Sequence, residues 1–104
     1  MNKIKVYVKE PGQTPALREI DNTLEALQEI VGGYIETVTV ATDLVIICNE
    51  EGRLQGLAPN CRILGYDFVG PIIFAGVAGD EFADVPEAAV RPIERLGREE
   101  VGHG

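Results

Sequence analysis

The strict alternation at the start of the chain constrains the fold more than any other feature. In Lys3-Ile4-Lys5-Val6-Tyr7-Val8-Lys9, the aliphatic Ile4, Val6 and Val8 fall on one side and Lys3, Lys5 and Lys9 on the other. Period two marks a strand with one buried and one wet face, because successive side chains of extended backbone point to opposite sides. Such a strand needs neighbours that share its apolar face. Pro11-Gly12-Gln13-Thr14-Pro15 supplies a turn, since proline fixes φ and glycine permits positive φ. Leu17-Arg18-Glu19-Ile20 then returns as the second strand of a hairpin.

One segment departs from this pattern. Leu24, Leu27, Ile30 and Val31 form a stripe at helical spacing. Asn22 offers an N-cap with Glu25 three residues on, and Gly32-Gly33 ends the segment, which predicts a firm helix over about residues 22–32. Strands resume at Tyr34–Thr42 and Leu44–Asn49, rich in Val, Ile and Thr. Asn49-Glu50-Glu51-Gly52 has type I turn chemistry, and Arg53-Leu54-Gln55-Gly56 reads as a continuing strand. Residues 57–65 carry Pro59, Asn60 and Gly65 without periodicity and read as a loop. Phe68 to Val77 reads as an apolar strand interrupted at Gly70-Pro71, a sign of a bulge or a sheet edge.

Gly79-Asp80 is a turn, and Glu81–Val85 pairs briefly. A short helix begins at Pro86 and is broken or kinked at Pro92, and residues 97–104 form a mobile tail. The fold class is therefore α+β: a mostly antiparallel sheet, one firm helix on one face and a short C-terminal helix, in a single domain over residues 1–96. A chain of 104 residues, 45% hydrophobic and 25% charged, suits one globule with a radius of about 13 Å.

Composition narrows the chemistry. The chain has no Ser and no Trp, and its one His is His103. A serine nucleophile is excluded, and a Cys–His pair would depend on a terminal residue. Cys48, Cys61 and His103 supply at most three zinc ligands, without C-x-x-C or H-x-x-H spacing, so neither a metal site nor a cofactor is expected. No glycine-rich phosphate loop occurs. The expectation is a protein that is not an enzyme. Cys48, inside Leu44–Cys48, reads as a buried reduced thiol. Met1–Lys5 lacks the apolar stretch of a signal peptide, and no apolar run approaches the roughly 18–20 residues of a membrane span. A cytoplasmic protein is expected.

Charge is distributed unevenly. The formal net charge is -8, yet all three Lys lie within the first nine residues. Residues 10–61 hold nine acids against Arg18 and Arg53 alone. That balance repels phosphate backbones, so no direct nucleic-acid contact is expected. Asp21, Glu25 and Glu29 stand at i, i+4 and i+8, which places them on one face of the predicted helix. As a solvated face they aid solubility; as a recognition surface they suit a basic protein partner.

Further polar candidates are Asn49 and Glu50 at the turn, Tyr34 and Glu36 after the helix, and Asn60 and Arg62 in the aperiodic stretch. Asparagine offers donor and acceptor together, and an arginine fork can clamp a phosphate or a carboxylate. Asp80, Glu81 and Asp84 read as turn and cap residues, without the spacing of a calcium loop.

The run Asp21-Asn22-Thr23-Leu24-Glu25-Ala26-Leu27-Gln28, continuing at Val31-Gly32-Gly33-Tyr34-Ile35-Glu36, carries a resemblance, as does Asn49-Glu50-Glu51-Gly52 through Asn60, followed by Gly70. Together these residues resemble the domain of unknown function 3846 family, small proteins of gut-type bacteria, their phages and mobile elements. The resemblance covers residues 3–85 and ends before Pro86. It brings no established activity; it implies an accessory protein of phage or mobile DNA rather than a metabolic enzyme.

The leading expectation is accordingly a non-catalytic binding protein acting on a host protein through an acidic surface. The alternative is a binder of a small nucleotide-like ligand, using Arg62, Asn60 and Tyr34 in a pocket between subunits. The second alternative is a metal- or carboxylate-dependent hydrolase. An edge strand at Gly70-Pro71 and a small core make a homo-oligomer the expectation in the first two cases.

Overall fold

The computed structural model describes residues 2–102 of the chain. Its elements run β1 (Lys3–Lys9), β2 (Ala16–Asp21), α1 (Leu24–Val31), β3 (Ile35–Ala41), β4 (Leu44–Asn49), β5 (Pro59–Ile63), β6 (Tyr66–Val69), β7 (Ile72–Ala78), β8 (Glu81–Ala83) and α2 (Glu87–Gly102). The main sheet has the order β2-β1-β7-β4-β3, with β8 paired to the end of β7, and every pairing is antiparallel. β5 and β6 form a separate two-stranded sheet. The radius of gyration is 12.8 Å. Among the described residues no helix is long and apolar enough to cross a membrane.

The first hairpin follows its alternation, with Lys3 opposite Asp21 and Val8 opposite Ala16. Ile4, Val6 and Val8 join Ile20, Val45, Ile47, Ile73 and Ala75 beneath Leu27 and Val31 of α1. Burying each of those two helix side chains contributes about 1.5–3 kcal/mol before entropy is subtracted. Thr23, not Asn22, caps α1: its Oγ1 accepts from the Ala26 N–H at 3.1 Å. Asn22 instead donates its amide to the Phe82 carbonyl at 3.0 Å, tying the start of the helix to β8. Gly32 closes α1 in the left-handed conformation, donating to Gln28 at 2.8 Å.

The opposite face of the sheet is also covered, which one clean alternation did not foretell. Tyr7, Ile46, Cys48, Ile72 and Phe74 form a second core with Phe68 from β6 and Ile93 from α2. β4 and β7 are therefore buried on both sides, and their uninterrupted apolar runs, Leu44–Cys48 and Ile72–Ala75, are what two-sided burial requires. Lys9, expected to face water, is fully buried in this layer. The Tyr7 hydroxyl donates to Glu94 Oε2 at 3.0 Å and links β1 to α2.

Three further expectations give way to local geometry. Residues 53–56 are consecutive turns, with Gln55 N–H donating to Glu51 O at 2.9 Å and Leu57 N–H to Gly52 O at 3.0 Å. Residues 57–65, expected as a loop, hold β5 and the turn to β6; a register shift between Pro59 and Cys61 hides the period. Gly70, with φ +71°, carries the chain out of the small sheet and into the large one, so β6 and β7 are two strands. β7 is central, and the edges of the path are β2 and β3, so Gly70-Pro71 marks no edge strand.

Pro92 lies within α2 and does not end it. The lost i−4 bond falls on the carbonyl of Ala88, an exposed residue whose carbonyl water can satisfy. The tail expected over residues 97–104 lies outside the residues whose side chains are described.

Candidate functional site

β4 ends at Asn49, and the turns that follow fold back beside the β5–β6 hairpin. Asn49 organises that corner from inside, being only 6% exposed. Its Oδ1 accepts from the Glu51 N–H at 2.8 Å, while its Nδ2 donates to the last carbonyl of α1, Val31 O, and to Gln55 Oε1, each at 3.2 Å. Gly33 packs against the same amide: a Cβ there would stand 2.9 Å from Asn49 Nδ2. Asn49 is thus structural, and the Gly33 of the motif makes room for it.

Between β3, β4, the turns and β6 lies an open cleft of about 290 Å³. Val38, Cys48, Phe68 and Val69 form its apolar part, and Glu36, Glu50, Glu51 and Asp67 bring carboxylates to it. Among the described residues Arg53 is the one cation lining it, and its Nη2 donates to the Asp67 carbonyl at 2.8 Å. Leu54 is 87% and Tyr66 55% exposed, although both are large and apolar. The Tyr66 ring stacks on Phe68 with centroids 6.0 Å apart, which fixes its direction. Burial, with the Glu36 charge as a smaller cause, pushes the Cys48 thiol up to about 11. At neutral pH the thiol therefore keeps its proton and is a poor nucleophile.

The structure brings three of the sequence candidates, Glu36, Asn49 and Glu50, to this cleft and leaves the others elsewhere. Tyr34, 68% exposed, borders a shallow depression with Gln28, Gly33, Glu51 and Gln55. Asn60 is occupied by the backbone: its Nδ2 donates to Lys9 O at 2.8 Å and Gly70 O at 2.7 Å, and its Oδ1 accepts from Lys9 Nζ at 2.7 Å. Arg62 reaches Asp67 at 3.7 Å, with both side chains mostly in water, a pair of little energetic weight.

The acidic stripe expected on the helix is also redrawn. Asp21 belongs to β2 and lies 3.6 Å from Lys3 Nζ, because α1 starts three residues later than that stripe requires. Glu25 is exposed in the first turn of α1, where the helix dipole favours it. Asp21 and Glu29 border a depression that Lys3 and Arg18 share, so its charge is mixed. Asp84, read as a cap, accepts from the Lys5 N–H at 2.7 Å through Oδ1. Among the described residues no group of three His, Cys, Asp or Glu is placed to hold a metal ion.

Arg53, Leu54, Tyr66 and Asp67 were not among the sequence candidates. The signal was available for Leu54: an aliphatic residue between Arg53 and Gln55, just after a turn, has no partner of its own period.

No curated protein and no solved structure matches the chain. The family model described as Domain of unknown function (DUF3846) matches residues 4–97, reaching past Pro86 to include the part of α2 that covers the second core. With both layers of the domain inside that match, the chain belongs to the DUF3846 family.

Proposed function

We propose that this chain is a non-catalytic protein-binding module that takes a basic segment of a host protein in the cleft between β3, β4 and β6. The observation that carries the reading is the composition of the cleft: among the described residues, exposed Leu54 and Tyr66 stand beside four carboxylates and a single arginine. Apolar anchors inside a charged rim are the usual anatomy of a protein-binding surface. The arginine is engaged by the Asp67 carbonyl, which leaves the cleft poorly suited to a phosphate. A cytoplasmic setting and an accessory role in phage or mobile DNA fit the reading.

The test is calorimetric titration with a capped nine-residue peptide of alternating arginine and valine. Glu36→Lys with Glu50→Lys is expected to weaken binding at least tenfold, and raising salt from 50 to 300 mM to weaken it several-fold. Binding indifferent to both changes would discard the reading.

A further inference from the structure

We infer that the partner segment binds as an extended strand added to the free edge of β3, sending alternate side chains into the acidic cleft. The inference rests on the cleft being the partner site. Among the described residues β3 pairs with β4 alone and closes one end of the main sheet. Glu50 N–H donates to Tyr34 O at 2.8 Å, and Glu36 and Val38 continue that register opposite Cys48 and Ile46. Since backbone groups alternate in direction along a strand, Ile35, Thr37 and Thr39 turn their N–H and C=O groups to the open edge.

Over residues 35–39 that edge carries few of the devices that usually guard one, since its register shift falls beyond them, between Thr39 and Ala41. Ile35–Ala41 contains no Lys and no Pro, and Glu36 is its one charge. The opposite edge, β2, carries Arg18, Glu19 and Asp21. Glu36 and Val38 line the cleft, so a strand laid beside β3 would direct every second side chain over the same face. Basic side chains on that face would meet Glu36, Glu50 and Glu51. The residues between them would lie by Thr37 and Thr39, both exposed, and need only be small or β-branched.

Charge selects this occupant over a second copy of the chain. Pairing two β3 edges would bring together two chains of net charge -8, each with its acidic cleft beside the seam.

Three forms of the arginine–valine peptide provide the test. In the antiparallel register proposed, the valine N–H groups bond to β3, and the arginine N–H groups point away. N-methylation of the valines is expected to weaken binding more than tenfold, and N-methylation of the arginines to change it less than about twofold. The unmodified peptide should also slow amide exchange of Thr37 and Thr39 at least tenfold. If both methylated peptides bind like the parent, strand addition is overturned while the cleft reading stands. If no form binds, both fall. A peptide-free dimer with Thr37 and Thr39 already protected would give the edge to a second copy and overturn the inference.

Discussion

Lys9 and Asn60 hold each other across the second face of the sheet. The Lys9 ammonium donates to Asn60 Oδ1 at 2.7 Å, and the Asn60 amide returns a bond to the Lys9 carbonyl at 2.8 Å. The same amide reaches Gly70 O at 2.7 Å, so one side chain fixes β1, β5 and the entry to β7. Asn60→Ala removes one acceptor from the buried Lys9 ammonium and one donor from each of two carbonyls. It should cost about 1–3 kcal/mol in urea unfolding, the range for losing buried hydrogen bonds of which one is to a charged group. Lys9→Met, which removes the charge and keeps the length, should cost less.

Gly33→Ala tests the corner around Asn49. The added methyl would press on an amide already committed to Val31 and Gln55. A loss of about 1–2 kcal/mol is expected, the range for strain and a disturbed buried hydrogen bond. Thermal unfolding measures it, and an unchanged melting temperature would remove Asn49 from its organising role.

Cys48 sets an alkaline limit. Its thiol has an ordinary value of 9.0 and is pushed up to about 11 in the fold, first by burial and then by Glu36. The folded state thus keeps a proton that the unfolded state releases. This contribution is fully present below pH 9 and is lost as the pH rises from 9 toward about 11. Cys48→Ala should flatten the fall of stability across that window, followed by urea midpoints at successive pH values. Native Cys48 should also react slowly with iodoacetamide at pH 8.

Ile93 and Leu54 should respond oppositely to truncation. Ile93 is 3% exposed in the second core, so Ile93→Ala should cost about 2–4 kcal/mol. Leu54 is 87% exposed, so Leu54→Ala should stay within about 0.5 kcal/mol of the parent. The same Leu54 variant should weaken the arginine–valine peptide severalfold in the titration if the proposed partner packs on this side chain.

Much of the layer nearest α1 was legible because its signals are local. The alternation of Ile4, Val6 and Val8 and the stripe of Leu27 and Val31 each state a face within a few residues. The second layer was less legible because its signals are shared between distant segments. Lys9 reads as solvent-facing until Asn60, 51 residues away, is placed beside it. Pro59 and Asn60 read as a loop because the register shift breaks the period of β5. The site suffered for the same reason: Glu36, Asn49 and Glu50 lie near one another in sequence across a β3–β4 pairing, whereas Tyr66 and Asp67 reach the cleft only through the hairpin. What no local pattern could show is that the amides of Asn49 and Asn60 are bonded to the carbonyls of Val31, Lys9 and Gly70.

The most direct measurement is an amide chemical-shift map of the labelled protein with the arginine–valine peptide. Perturbations are expected to concentrate at Glu36, Thr37, Glu50, Arg53 and Tyr66, with the amides of Glu25 and Glu29 unmoved. Perturbations centred on Glu25 and Glu29, or spread evenly over the acidic surface, would contradict binding in the cleft.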